Sequence, residues 1–387
     1  MSFRIKDVFF DDKTLPLSFY DEIDNNNYFT IIVGKNSTGK SRLLSSLVNA
    51  FESLSISRSS STQRIRNNYD RKNDKRLDGF FVNYRHGIQS YSLGVINGRL
   101  EVSFNETSLP SKILAVSTTP YDKFPLERKK SESRIYSYIG VRNHTNKISG
   151  LSPSLLLMSD FIDGLINSSF KNNKNEAIIN VLEFLYFKPK LNITYKLNRY
   201  NMKLYDELFT GTSDYNDFSD KLGLLVNKDR GLVFDHRKST INEMLLLVKN
   251  EDNFCELKRA YDFFCHNLDY RNDYMAIDFN FNDIENNKFF IYQHYITILI
   301  EANIIKLSDI NFISEKNKEV SVSDLSSGEQ CIMSTMLSMI SSIEDDSLIC
   351  IDEPEISLHP EWQEKYIDLL FPDYHYLTAT VKLSPIL

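Results

Sequence analysis

The stretch YFTIIVGKNSTGKSRLLSSLVNAFESL, residues Tyr28 to Leu54, decides the fold. Tyr28 to Val33 is a short run of aromatic and β-branched residues that reads as a buried strand. Leu43, Leu44, Leu47, Val48 and Phe51 then recur at helical spacing. Between strand and helix lies GKNSTGKS, Gly34 to Ser41, which fits the phosphate-loop pattern GxxxxGK followed by Ser or Thr. In such a loop the backbone amides converge on an anion at a helix N-terminus. Lys40 is the residue to neutralise β- and γ-phosphate oxygens, and the Ser41 hydroxyl the one to ligate Mg²⁺. A chance match on a Gly/Ser/Lys loop is the competing reading, and the flanking strand and helix weigh against it. Nucleotide contacts are expected from Gly34, Lys35, Asn36, Ser37, Thr38, Gly39, Lys40, Ser41 and Arg42.

A second stretch, SLICIDEPEISLHP from Ser347 to Pro360, places the apolar run Leu348–Ile351 ahead of Asp352 and Glu353. The first acid at such a strand tip can hold Mg²⁺, and the second can orient and deprotonate an attacking water. Core strands often end in solvated carboxylates, so this signal gains its weight from the phosphate loop. A third stretch, LSSGEQ from Leu325 to Gln330, precedes the apolar helix pattern CIMSTMLSMISSI. Serine hydroxyls at an exposed helix start can bind an anion; the plainer reading is that Ser326 or Ser327 caps the helix.

In order and spacing these three motifs resemble the ATP-binding-cassette (ABC) ATPases. GKNSTGKS is similar to their Walker A, LSSGEQ to their signature motif, LICIDE to their Walker B, and EISLHP holds the D-loop position. The wording DEPEISLHPEWQ is most similar to the branch containing RecF, SMC and OLD-type proteins, and within it to the PtuA-type ATPases of Septu and retron antiphage systems. The motifs cover roughly residues 1–50 and 320–387. The resemblance implies an α/β ATPase head, a mixed sheet with flanking helices, split by a long mainly helical insertion. It also implies ATP and Mg²⁺ as cofactors and two heads sandwiching two nucleotides in a homodimer. Carried over by motif, Ser326 and Gly328 meet the γ-phosphate across that dimer, and Ser327 and Glu329 join them among the nucleotide-binding residues. Glu353 and Lys40 are then catalytic, and Ser41 and Asp352 form the metal shell. The implied function is control of a separate nuclease or toxin effector, such as an HNH protein, in antiviral defence. The alternatives are a RecF/SMC-like DNA-repair ATPase and an OLD-type ATPase lacking its nuclease domain.

The chain departs from the family pattern in places. Ser327 and Ser37 replace glycines, His359 replaces the D-loop Asp of transporters, and no glutamine marks the loop around Thr118–Asp122. No histidine precedes Ser384-Pro385, and His375 lies upstream of Tyr376–Ala379. Hydrolysis that is slow or partner-dependent is the expectation.

Length and composition agree with a two-domain protein. The chain has 387 residues, 42% hydrophobic and 25% charged, with net charge −7. An acidic protein needs a local patch to touch nucleic acid. The candidate runs from Arg58 to Arg76, with seven basic residues against Asp70 and Asp74, inside a Ser/Asn/Arg-rich loop expected over residues 53–80. A solvated, flexible insertion is the bland reading of the same segment. The four cysteines form no CxxC pair, which excludes a zinc framework and suits a reducing compartment. The most apolar window, residues 289–305, contains Gln293, His294 and Glu301 and reads as a buried amphipathic helix, so a cytoplasmic protein with no membrane contact is expected.

Outward from the motifs, residues 80–104 alternate as antiparallel strands with Asn97-Gly98 as a hairpin turn, and Lys112–Ser117 is a further strand. These assignments divide the chain into 1–150, a helical insertion over 151–310, and 311–387.

Overall fold

A computed structural model describes residues 3–18, 28–35, 37–59, 79–96, 99–102, 108–119, 121–126, 135–140, 142, 155, 158–159, 161–162, 164–165, 172–212, 214–228, 241, 244–269, 273–283, 287–354, 358–370 and 379–383. The chain forms two compact units, Met1–Val181 together with Leu325–Leu387, and Leu182–Asp324. Both mix sheets with flanking helices, as the α/β reading requires.

The first unit contains β1 (Phe3–Phe10), β2 (Lys13–Pro16), β3 (Tyr28–Ile31), α1 (Lys40–Ser59), β4 (Phe81–His86), β5 (Gln89–Ile96), β6 (Arg99–Val102), β7 (Ile113–Ser117) and β8 (Tyr136–Gly140). After α2 (Asn172–Phe184) and the second unit, it resumes with α7 (Ser327–Ser342), β13 (Ser347–Asp352), α8 (Pro360–Leu370) and β14 (Ala379–Leu383). One sheet is antiparallel, in the order β2-β1-β4-β5-β6. Ile96 pairs with Arg99, which leaves two residues for the turn expected at Asn97-Gly98; that turn itself lies outside the described residues. The other sheet is parallel throughout, in the order β3-β14-β13-β7-β8. Every residue of β7 and β13 is buried, the pattern of a parallel strand covered on both faces.

Helix α1 packs between the two sheets. Leu43, Leu44, Leu47, Val48 and Phe51 are buried with Phe3, Val8, Val82 and Tyr84 of the antiparallel sheet and with Ile113, Ala115, Leu348 and Cys350 of the parallel one. The helix runs further than the loop expected from residue 53, reaching Ser59, because Leu54 and Ile56 are also buried. The basic side chains from Arg58 to Arg76 lie outside the described residues.

The second unit holds β9 (Phe187–Leu197), α3 (Arg199–Phe209), α4 (Tyr215–Lys228), α5 (Glu251–Asn267), β10 (Tyr274–Asn280), α6 (Lys288–Glu301), β11 (Ile305–Ser314) and β12 (Glu319–Ser321). Beside its helices runs an antiparallel sheet, β10-β9-β11-β12, that the helical reading of 151–310 did not contain. The division of the chain also differs from the expected boundaries at 150 and 310. Lys174 donates from its amine to Ser341 O (2.9 Å), which ties α2 to α7 of the first unit. Strand β11 pairs with β9, and β12 with β11, so both belong to the second. Helix α6 is only partly buried: Phe289, Ile296 and Leu299 are covered, while Ile291 is exposed. Among the described residues no helix is long and apolar enough to cross a membrane.

Candidate nucleotide-binding site

At the carboxyl end of β3 the chain turns through the loop that leads into α1. Ser37 (φ 68°) and Gly39 (φ 95°) both take left-handed backbone, which reverses the chain sharply enough to aim amides inward. Gly39 could not carry a side chain freely, since a Cβ there would sit 3.1 Å from Arg42 Nη2. At Gly34 a Cβ would lie 2.8 Å from Thr38 Oγ1. Thr38 closes the loop by donating from its hydroxyl to Lys35 O (2.8 Å). The Lys40 amine folds back over the loop and donates to Gly34 O (2.7 Å) and Lys35 O (3.3 Å). Asn36 lies outside the described residues.

Ser41 Oγ donates to Asp352 Oδ1 at 3.0 Å, across 311 residues of sequence. Asp352 closes strand β13 and is 2% exposed. A hydroxyl and a buried carboxylate in contact at a helix start form an all-oxygen donor pair of the kind hard divalent cations take. Among the described residues no cluster of three His, Cys, Asp or Glu offers a competing metal site. Glu353 follows with φ 50°, a left-handed conformation that costs a non-glycine residue about 1 kcal/mol and turns the chain at the strand tip.

Arg42 points elsewhere. Its guanidinium pairs with Asp11 and lies 5.4 Å over the Phe10 ring, next to Gly39. Asp11 and Asp12, both left-handed, form the tight β1–β2 turn that this contact holds beside the phosphate loop. Sequence reasoning did not single out Phe10 or Asp11; an Asp-Asp turn so far upstream carries no signal of its own.

Ser326, Ser327, Gly328 and Glu329 sit together at the start of α7. Ser326 is the N-cap, and its hydroxyl accepts from Glu329 N while Glu329 Oε2 accepts from Ser326 N (2.8 Å) and Ser326 Oγ (2.6 Å). This capping box is the plainer reading of LSSGEQ realised. Ser326 and Ser327 are exposed and Gly328 is buried. Among the described residues no hydrogen bond or ion pair joins these four to the loop from Gly34 to Arg42. Cys331, one turn further, is buried and its thiol is pushed up to about 12 by that burial, so it is no nucleophile.

A protein-family profile described as "AAA domain, putative AbiEii toxin, Type IV TA system" matches residues 29–376. The chain belongs to this family of AAA ATPases. The match takes in the phosphate loop, the acidic strand β13 and the whole segment between them, so nucleotide binding and ATPase activity hold at the level of the family. No curated protein matches the AAA protein. Among solved structures it is similar to the Smc head domain with an extended coiled coil bound to the C-terminal domain of ScpA, derived from Pyrococcus furiosus. That likeness has 11% identity and a TM-score of 0.33, and covers 99% of this chain and 90% of that one. Nothing below rests on it.

Proposed function

We propose that the protein is an ABC-type ATPase that binds ATP and Mg²⁺ at Gly34–Ser41 and Asp352, dimerises around the nucleotide, and controls a separate effector in cytoplasmic antiviral defence. The Ser41–Asp352 contact carries the nucleotide half of this reading, because it joins the two motifs at the oxygens a phosphate-bound cation needs. The crowding at Gly34, the left-handed backbone at Gly39 and the folded-back Lys40 amine support the same fit.

When bound, the nucleotide supplies the phosphoryl group and the metal draws charge from its oxygens. Lys40 would leave the Gly34 and Lys35 carbonyls to neutralise phosphate oxygens. Ser41 and Asp352 would hold the cation. Glu353 would orient a water and take its proton. The exposed Ser326 and Ser327 hydroxyls at the start of α7, which among the described residues bond to nothing on their own phosphate loop, support completion of the site by a second copy. For Ser326 to do so, its hydroxyl must exchange Glu329 for the partner's phosphate.

The defence role rests on the motif resemblance to PtuA-type ATPases and on the toxin and TA system of the family's description. The effector is then a nuclease such as an HNH protein, or a toxin, encoded apart from this chain. Nucleic acid would be held by the basic side chains of Arg58–Arg76.

ATP hydrolysis measured against protein concentration, with the Glu353→Gln protein as blank, tests the reading. Specific activity that rises with concentration is expected, since each site needs a second copy. Activity that is flat with concentration, or retained by Glu353→Gln, would contradict it.

A further inference from the structure

The loop after β7, which ends at Leu126, is held by an ion pair, buried at Asp122 and half-buried at Arg142, to which neither the family nor the motifs give a task. Asp122 is 5% exposed and its carboxylate is saturated. Oδ1 accepts from Phe124 N (3.0 Å) and Arg142 Nη2 (2.5 Å); Oδ2 accepts from Tyr138 Oη (2.7 Å) and Arg142 Nε (2.9 Å). Arg142 Nη2 also donates to Phe124 O (2.5 Å), and Tyr136 Oη to Pro125 O (2.6 Å). A forked guanidinium on a carboxylate fixes both partners in orientation as well as distance.

What this clamp holds lies against the candidate site on three sides. The loop leaves β7 at Ser117, which pairs in register with Asp352. It returns to α1, where Ser45, one turn beyond Ser41, donates from its hydroxyl to Lys123 O (2.6 Å). At Thr118, whose buried hydroxyl has no hydrogen-bond partner among the described residues, it lies beside Cys331 of α7, the helix whose start carries Ser326–Glu329. A buried ion pair contributes little net stability, because desolvation of both charges offsets their attraction. Its geometric restraint is the stronger account of why it stands here.

We propose that Asp122 and Arg142 are positioning residues for ATP turnover. Their pair anchors the loop that runs from Ser117, the register partner of Asp352, to Lys123, whose carbonyl is tied to α1, and so sets the geometry of the acidic strand tip relative to the phosphate loop. This rests on the ATPase reading above. Phosphate binding belongs to Gly34–Ser41, which the clamp does not touch. Weakening the clamp therefore lowers turnover and leaves nucleotide affinity in place.

Three variants test this on the full chain: Arg142→Lys, which keeps the charge and loses the fork; Asp122→Asn; and Ser45→Ala, which removes the tie to Lys123 O together with a bond accepted from Asn49 Nδ2 (3.1 Å) that lies within α1. Each is compared with wild type for ATP affinity by titration with a fluorescent ATP analogue, for kcat, and for amide hydrogen exchange in peptides covering 118–126. The expected result is a kcat reduced about tenfold, the scale of one lost hydrogen bond to a charged group, with affinity changed less than about threefold. Exchange should rise in 118–126 and not in the phosphate-loop peptide. Ser45→Ala, the mildest change, should show the same pattern at smaller size. Affinity and kcat falling together, or faster loop exchange with unchanged kcat, would overturn the proposal. Wild-type protein with no turnover above Glu353→Gln would overturn the ATPase reading and this inference with it, and that outcome is visible before any clamp variant is made.

Discussion

Single residues in the phosphate loop are chosen by backbone and space more than by their own chemistry. A Cβ at Gly34 would clash with Thr38, Gly39 holds a left-handed backbone that a side chain would strain, Ser37 and Glu353 are left-handed as well, and Thr38 closes the loop on Lys35. In the proposed site the chemistry falls to Lys40, Ser41, Asp352 and Glu353. Asp352→Asn keeps the shape of the Ser41 contact while removing the charge a cation requires. In a Mg²⁺ titration of ATP binding, Asp352→Asn should lose about tenfold or more in affinity with the metal present, because bonds to a charged group contribute about 1.5–3 kcal/mol. Without metal it should bind ATP like wild type. These four residues were legible in the sequence, since GKNSTGKS and LICIDE are local words with fixed offsets. The Arg42–Asp11 pair and the Asp122–Arg142 clamp were not, because each joins residues with no shared motif and becomes visible only once the sheets bring them together.

Among the elements, α1 carries most of the burden of joining the two sheets. Phe51 sits at the centre of that contact, with ring centroids 5.5 Å from Phe3 and 5.0 Å from Tyr84, both edge-on. Phe51→Ala should lower stability by about 3–5 kcal/mol, as removal of a buried aromatic ring does. The check is urea unfolding, with a lower midpoint and an unchanged slope. The helical spacing of α1 and the apolar runs of β7 and β13 announce themselves, because each is long or uniformly buried. The sheet of the second unit is harder to read. Leu191, Ile193, Tyr195 and Leu197 are buried and alternate with Lys190, Asn192, Thr194 and Lys196, a period of two. That strand lies between two helical runs, and its partners β10 and β11 are far along the chain, so no hairpin turn advertises it. Fold class followed from α1 and its flanks; the extent of each unit depended on pairings that no local pattern encodes.

For the molecule as a whole, the account joins two distant parts of one chain into a nucleotide site and expects a second copy to complete it. Glu353→Gln should bind ATP with Mg²⁺ without turning it over and accumulate as a dimer. Light scattering should then give twice the mass of the chain, against a single chain without nucleotide. A mass unchanged by ATP would remove the dimer from the account while leaving the phosphate loop intact. Everything else depends on whether that loop holds the nucleotide. The most direct measurement is calorimetric titration of ATP, with Mg²⁺, into wild type and Lys40→Ala. Saturable binding by wild type, weakened about tenfold to a hundredfold by loss of the ammonium, is the predicted result. Equal affinity in the two proteins would contradict the assignment of Gly34–Ser41 as the nucleotide site.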